Sequence, residues 1–395
     1  MTEHDERPRT GPLAPQERPA RTGGRQAPVP KQKRPGPYRV PPREQRHGLL
    51  IVNTGDGKGK TTAALGVMLR AAGRGMRVGM LQFVKNMADH GEQRTARRLG
   101  VEILALGAGR APGRDHETDD EALAIAGWAQ CEAVIANGEY DVLILDELTL
   151  PMTCGWLDTP AVIAALAGRP KGTHVVVTGR HAPSALIDAA DLVTDMRVIK
   201  HPLSAGEAPA RPEPAPAVPP RDARHGLLIV NTGHGKGKST AALGLLVRAA
   251  GDDLSVQMFQ FIKSAETRYG EHVAARQLGI EIVPLGDGFT WLSSNIDEDR
   301  ALAEQGWARV RAVVEDGQAD VLILDELTYC LTYGWLNEEE VLATLRARPA
   351  WMHIVVTGRD ATPALIALAD IVTDMHLVRH PYREQGIGAQ PGIEL

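Results

Sequence analysis

The stretch Gly55-Asp56-Gly57-Lys58-Gly59-Lys60-Thr61-Thr62-Ala63-Ala64-Leu65-Gly66 follows an apolar run, Leu49-Leu50-Ile51-Val52, and leads into a helical pattern. It returns as Gly233-His234-Gly235-Lys236-Gly237-Lys238-Ser239-Thr240-Ala241-Ala242-Leu243-Gly244, after Leu227-Leu228-Ile229-Val230. Strand, glycine-rich turn, lysine, hydroxyl and helix together predict a phosphate cradle. The glycines let successive backbone N–H groups converge, the helix N-terminus adds partial positive charge, and lysine adds a full one. The hydroxyl after that lysine, on Thr61 or Ser239, is placed to hold Mg²⁺. Spacing departs from the usual G-x-x-x-x-G-K-[ST]. Thr54 and Thr232 stand where the first glycine belongs, and Gly55 and Gly233 come one residue later. The cradle is therefore one residue tighter than an ordinary P-loop. Its expected nucleotide contacts run from Asn231 to Thr240 in the second copy and from Thr54 to Thr62 in the first. A flexible surface loop does not account for a twelve-residue pattern found twice after the same kind of strand.

A chain of 395 residues with 43% hydrophobic content can bury two separate cores. The net charge of −5 argues against nucleic acid as a partner. Cys131, Cys154 and Cys330 show no C-x-x-C spacing, which suits a reducing, cytoplasmic setting. With no long apolar run and a polar, proline-rich N-terminus, neither a membrane span nor a secretion signal is expected.

Residues 1–46 read as a disordered Pro/Arg-rich tail. From 47 to 204, short apolar runs alternate with helical stretches, and 205–224 is a Pro/Ala linker. At 225 the programme restarts and runs to 395. Strands are expected at Gly48–Asn53, Arg77–Val84, Val101–Leu106, Asp141–Asp146, His174–Thr178 and Leu192–Val198. Helices are expected from about Lys60 to Ala72, Glu92 to Leu99, Thr118 to Ala136, Pro160 to Ala167 and Pro183 to Ala189. Apolar rather than alternating strands predict coverage on both faces. The fold class is thus α/β: two tandem P-loop (RecA-like) domains, each a mostly parallel, doubly wound sheet. Gln82-Phe83-Val84-Lys85 recurs as Gln260-Phe261-Ile262-Lys263, and Thr178-Gly179-Arg180 as Thr357-Gly358-Arg359. The offset between copies is 178 residues at Gly55 and 179 at Asp146, with one residue inserted in the Lys263–Gly270 loop. This is duplication of a complete domain.

Each copy carries an apolar strand ending in paired acids, Asp146-Glu147 and Asp325-Glu326. Beside a phosphate cradle such acids hold Mg²⁺ directly or through water, and the second acid is also a candidate general base. Arg70 and Arg248, on the helix leaving the cradle, read either as nucleotide contacts or as part of a solvated helix face. Lys85 and Lys263 reach the C-terminal edge of the sheet, where ligands bind. Arg180 and Arg359 either clamp an anion there or pair with Asp195 and Asp374. The copies differ most in one loop. The second has Gly286-Asp287-Gly288-Phe289-Thr290-Trp291, whereas the first has Gly107-Ala108-Gly109-Arg110-Ala111-Pro112. Two aromatics in a polar loop point to a binding surface for a flat ligand or a partner. Trp128 and Trp307, in corresponding helices, read as core.

Each domain resembles the P-loop corrinoid adenosyltransferases, which act on cob(I)alamin or cob(I)yrinic acid a,c-diamide. The likeness is carried by the tight cradle, Gln260–Lys263, Gly288-Phe289-Thr290-Trp291 and Leu324-Asp325-Glu326-Leu327-Thr328-Tyr329. Arg348-Pro349, Thr357-Gly358-Arg359, Arg379-His380 and Ala389-Gln390-Pro391-Gly392-Ile393-Glu394 add to it. It covers nearly all of 225–395, while the first domain departs at Arg110–Pro112. The resemblance implies that a corrinoid reduced to Co(I) attacks the 5′ carbon of ATP and expels triphosphate. Lys238, the Gly235 and Gly237 amides and Mg²⁺ would then stabilise the leaving group, with Glu326 among the catalytic residues. It further implies that Phe289 and Trp291 close on the lower face of the corrin, excluding the lower axial ligand and easing reduction. A reduced flavoprotein is the implied reductant. The resemblance also implies a homodimer-like arrangement in which an N-terminal segment of one subunit covers its neighbour's site. The fusion is therefore expected to form an intrachain pseudo-dimer, with a degenerate first domain beside a complete second one. The rival readings are a P-loop NTPase or phosphotransferase and a nucleotide-dependent binding module.

Overall fold

The computed structural model describes residues 40–85, 89–107, 117–202, 218–264, 269–286 and 296–394. In the first repeat the strands are β1 (Leu50–Thr54), β2 (Val78–Gln82), β3 (Glu102–Ala105), β4 (Val142–Asp146), β5 (His174–Thr178) and β6 (Leu192–Lys200). Its helices are α1 (Lys60–Gly73), α2 (Gly91–Arg98), α3 (Glu117–Asn137), α4 (Thr149–Thr153), α5 (Thr159–Ala167) and α6 (Ser184–Ala189). The second repeat follows the same order. Its strands are β7 (Leu228–Thr232), β8 (Val256–Ser264), β9 (Ile282–Gly286), β10 (Val321–Asp325), β11 (His353–Thr357) and β12 (Ile371–Arg379). Its helices are α7 (Lys238–Gly251), α8 (Gly270–Gln277), α9 (Ile296–Glu315), α10 (Leu327–Thr332), α11 (Glu338–Arg346), α12 (Pro363–Leu368) and α13 (Pro381–Gln385).

Within each repeat all strand pairs are parallel, in the order β3-β2-β4-β5-β1-β6 and its mirror β12-β7-β11-β10-β8-β9. Strands such as β4 and β10 are buried along their whole length, as their unbroken Val/Leu/Ile runs require. The apolar patterning did not disclose how the repeats join. β6 pairs antiparallel with β12, so the described strands form one continuous twelve-stranded sheet. Met196 lies directly opposite Met375 in that pairing, and these two are equivalent residues of the duplication. A pseudo-twofold axis therefore passes between them. Both methionines pack against Ala63 and Ala241, from the first turns of α1 and α7.

Over this axis α1 lies against α7, and the contact is backbone to backbone. A Cβ on Gly66 would lie 1.9 Å from the Thr240 carbonyl oxygen, and one on Gly244 would lie 1.9 Å from that of Thr62. Only glycine permits this approach. It brings Leu65, Met68 and Leu69 of α1 into one buried cluster with Leu243, Leu246 and Val247 of α7. The opposite sheet face of each repeat has its own core, containing Trp128 in the first and Trp307 in the second, as expected for both.

Side chains that precede each repeat's first strand also pack against that repeat. Arg43 donates to the Gly138 and Tyr140 carbonyls, and Arg46 pairs with Asp141 at 3.1 Å. Arg221 and Arg224 repeat this arrangement on Asp320, at 2.9 and 2.8 Å. Arg43 and Arg221, which the sequence places in tail and linker, thus make equivalent contacts with their repeats. The prolines beside them masked paired guanidiniums that satisfy a strand-start carboxylate and neighbouring carbonyls.

Candidate active site

The cradle sits at the C-terminal edge of the sheet, between β1 and α1 and again between β7 and α7. Gly59 and Gly237 adopt left-handed φ values of 113° and 110°, a conformation that side-chain-bearing residues rarely take. In the second copy Lys238 Nζ donates to the Gly233 and Gly235 carbonyls, both at 2.7 Å. Lys60 does the same with Gly55 and Gly57, at 2.6 and 2.8 Å. Burial lowers the pKa of each ammonium to about 8.

The strand-end aspartates are fully buried and tightly ordered. Asp325 accepts from Thr357 Oγ1 at 2.7 Å and from Gln260 Nε2 at 3.0 Å. Asp146 accepts from Thr178 at 2.6 Å, from Gln82 at 3.0 Å and also from Thr61. Burial alone would raise the pKa of Asp146; Lys85 and these hydroxyl and amide donors pull it below the usual value. The following glutamates adopt left-handed backbone, φ 60° at Glu147 and 62° at Glu326. Strain of this kind in non-glycine residues costs about 1–3 kcal/mol and gathers at functional sites. Burial and the adjacent Asp325 raise the Glu326 pKa to about 7, and Glu147 shifts in the same direction. Glu326 Oε2 is sealed from solvent without a hydrogen-bond partner.

A cavity of about 350 Å³ opens at the second cradle. Lys238, Ser239, Lys263, Glu326 and Arg359 line its polar side. Much of its opposite wall comes from the first repeat, through Ile51, Ala63, Val67, Arg70, Leu192 and Thr194. The C-terminal segment closes it, with Glu394 Oε1 2.7 Å from Lys236 Nζ.

A family model described as ATP:corrinoid adenosyltransferase BtuR/CobO/CobP matches residues 46–212 and again 224–395. The chain belongs to that family. The corrinoid adenosyltransferase of Pseudomonas aeruginosa is 43% identical over 176 residues, 44% of this chain and 85% of that protein. The corrinoid adenosyltransferase of Escherichia coli K12 is 37% identical over 169 residues, 43% of this chain and 85% of its own length. An uncharacterized protein of Nostoc sp. is 30% identical over 379 residues, 89% of this chain and 96% of its own. That match spans both repeats. Among the described residues no helix is long and apolar enough to cross a membrane.

For this family member the geometry sorts the residues picked from sequence. Lys238, Ser239, Lys263, Glu326 and Arg359 converge on one cavity. The first repeat keeps Lys60, Asp146, Glu147 and Lys85 in matching positions, Lys85 Nζ lying 3.4 Å from Asp146. Arg180 stands 4.0 Å from Asp56, while Asp195 pairs with Arg197 instead. Arg70 and Arg248 are not on a solvated face. Arg70 is buried and bridges to Glu271 of the other repeat at 2.9 Å, and Arg248 lies 3.4 Å from Glu92. Phe289, Trp291 and Arg110–Pro112 lie outside the described residues.

Sequence reasoning gave no role to Glu92, Glu271 or Gln82, and none to His272, whose Nε2 contacts Gln260 Oε1 at 2.7 Å. Glu92 and Glu271 carried a usable signal. They are identical acids at the duplication offset, in short helices of which Gly, Ala and Arg are the other residues kept in both copies.

Proposed function

We propose that the second repeat transfers the 5′-deoxyadenosyl group of ATP to the Co(I) of a corrinoid, releasing triphosphate in the course of adenosylcobalamin biosynthesis. A Co(I) lone pair forms the bond to C5′. The C5′–O bond breaks, and its electrons leave on the triphosphate. What carries this reading is the cavity where Lys238, Lys263 and Arg359 meet apolar walls from the other repeat. Three cations suit a departing polyanion, and the apolar side suits a nucleoside and a macrocycle. The chain's task is orientation, since the nucleophile belongs to the corrinoid.

The donors present fit Mg²⁺. Ser239 and the acids Asp325 and Glu326 would hold it, Glu326 offering an oxygen that has no other partner. Among the described residues no three His, Cys, Asp or Glu side chains cluster as a metal site, which suits a metal completed by phosphate oxygens and water. When bound, the ion would neutralise charge on the leaving triphosphate. Phe289 and Trp291 are the residues for the corrin face, and the first repeat lacks both. It therefore serves as the pseudo-dimer partner, a reading supported by the shared sheet and the shared cavity wall. A reduced flavoprotein supplying electrons to cobalt completes the scheme.

The test is anaerobic incubation of the full chain with ATP, Mg²⁺ and chemically reduced cobalamin or cobyrinic acid a,c-diamide. Tripolyphosphate and a light-sensitive alkylcorrinoid are expected. ADP and phosphate with unalkylated corrinoid would replace this reading with a phosphotransferase.

A further inference from the structure

Arg70 leaves α1 of the first repeat yet has its partners in the second. Its Nε and Nη2 donate to the two carboxylate oxygens of Glu271, at 2.9 and 3.1 Å, and its Nη1 donates to the Ile393 carbonyl. Glu271 is wholly buried and has a second cation, Lys263, at 2.8 Å. Lys263 in turn lies 3.7 Å from Asp325 and packs beside the Tyr269 ring. An unbroken line of charge thus runs from the first repeat to the strand-end acid of the second cradle. A second line leaves the same guanidinium through the Ile393 carbonyl to Glu394, which grips Lys236. Lys263 on the first line and Lys236 and Glu394 on the second face the cavity.

We infer that Arg70 is a positioning residue supplied by the first repeat to the second repeat's active site, acting through Glu271 and the C-terminal segment. The physical reason is competition for one ammonium. Glu271 and Asp325 share Lys263, and Arg70 takes up part of the Glu271 charge. Without Arg70 the buried Glu271 carboxylate has, among the described residues, Lys263 as its one remaining ion-pair partner, and it draws that ammonium off Asp325. The C-terminal segment also loses its anchor beside the cradle. The mirror position is weaker. Arg248 Nε is 3.4 Å from Glu92 and has no hydrogen-bond partner. Conservation of both arginines in the duplication therefore hides unequal duties.

This inference rests on the adenosyl-transfer reading, so its test has a readout of its own. Full-length Arg70→Gln, Arg70→Lys, Arg248→Gln and Glu271→Gln are compared with wild type. Turnover is measured with ATP and cob(I)alamin, and ATP binding is followed by calorimetry with and without Mg²⁺. Arg70→Gln should lower kcat about 10–100-fold, the scale of small misplacements at a reacting centre. Its affinity for metal-free ATP should stay within about threefold, with the gain from Mg²⁺ reduced. Added guanidinium should restore part of kcat, because the void opens onto the cavity, and urea should not. Arg70→Lys should recover little, since a point charge cannot span both Glu271 oxygens and the Ile393 carbonyl. An unchanged kcat, an equal loss in Arg248→Gln, or a loss confined to metal-free ATP affinity overturns the inference. The last outcome would make Arg70 a direct nucleotide contact. Should Arg70→Gln fail to fold, Arg70→Lys decides, with the same loss of kcat and the same reduced gain from Mg²⁺ expected. If wild type binds ATP but alkylates no corrinoid, the functional reading has failed, and the Mg²⁺-dependent calorimetry alone judges the arginine.

Discussion

Replacing Glu326 by glutamine should stabilise the chain while removing its activity. The carboxyl group sits beside buried Asp325, and burial together with that like charge raises its pKa from 4.5 to about 7. The folded state therefore holds this proton more tightly than the unfolded chain does. Stability tied to it is fully present below about pH 4.5 and is lost as pH rises through about 7. Converted at 1.36 kcal/mol for each tenfold change in proton affinity, the loss approaches about 3 kcal/mol at pH 8. Glutamine keeps the shape and stays neutral, and it occupies the same left-handed backbone at no greater strain. Chemical denaturation of wild type and Glu326→Gln at pH 4.5 and pH 8 measures the difference. The two should nearly coincide at the acidic pH, with the variant ahead by about 2–3 kcal/mol at the alkaline one. A gap independent of pH, or a less stable variant at pH 8, would refute the argument that an ionised Glu326 is held at a cost in stability. Adenosyl transfer should fall with the same substitution, because the neutral amide is a poor Mg²⁺ ligand.

Lys238→Ala should lower kcat by roughly 10²–10³-fold, the scale seen when one donor to a developing anion is removed. Lys60→Ala should cost less, and the reverse ranking would place the chemistry in the first repeat. ATP affinity should decline as pH rises past about 8, where burial leaves Lys238 unable to keep its proton. Calorimetry in buffers of different ionisation enthalpy should then show proton uptake on binding at pH 8.5. Gly66→Ala should destabilise the fold by about 1–3 kcal/mol, since its methyl would lie 1.9 Å from the Thr240 carbonyl oxygen. Gly168→Ala meets nothing nearer than 3.4 Å and should be close to neutral in the same thermal assay.

The parts of this molecule legible in sequence were those with a local cause. Cradle, acid-ended strands and helix order follow from spacing and apolar runs, and β5 falls where expected, at His174–Thr178. What escaped depends on contacts between the copies. The antiparallel pairing of β6 with β12 leaves no periodic mark, because Leu192–Met196 read equally well as an edge or an interior strand. Gly66 and Gly244 looked like ordinary helix glycines of the cradle motif, although their function is to let two backbones touch. Arg70 sat on a helix several turns from the cradle, and its partner lies about 200 residues away in sequence. Helical spacing could offer only solvent or nucleotide as alternatives. The prolines at 41–42 read as tail and those at 219–220 as linker, and composition gave no sign that the arginines that follow pair with Asp141 and Asp320.

The two copies have unequal freedom to change, and this bears on how many corrinoids one chain can serve. Around the axis, α1 and α7 meet through main-chain atoms, so a side chain added to either glycine pushes on the other copy. Substitution is therefore resisted there in both repeats at once. β3 and β9, the strands that precede the divergent loops in sequence, are the two edge strands of the twelve-stranded sheet. Those loops are where the copies part, Phe289 and Trp291 in one and Arg110–Pro112 in the other. Both copies keep the cradle sequence, while only the second carries Phe and Trp after its edge strand. The expected stoichiometry is two ATP but one corrinoid bound per chain, measurable by equilibrium dialysis with each ligand. Two corrinoids per chain would mean that Arg110–Pro112 supports a second complete site, and the unequal partnership drawn from the sequence would have to be given up.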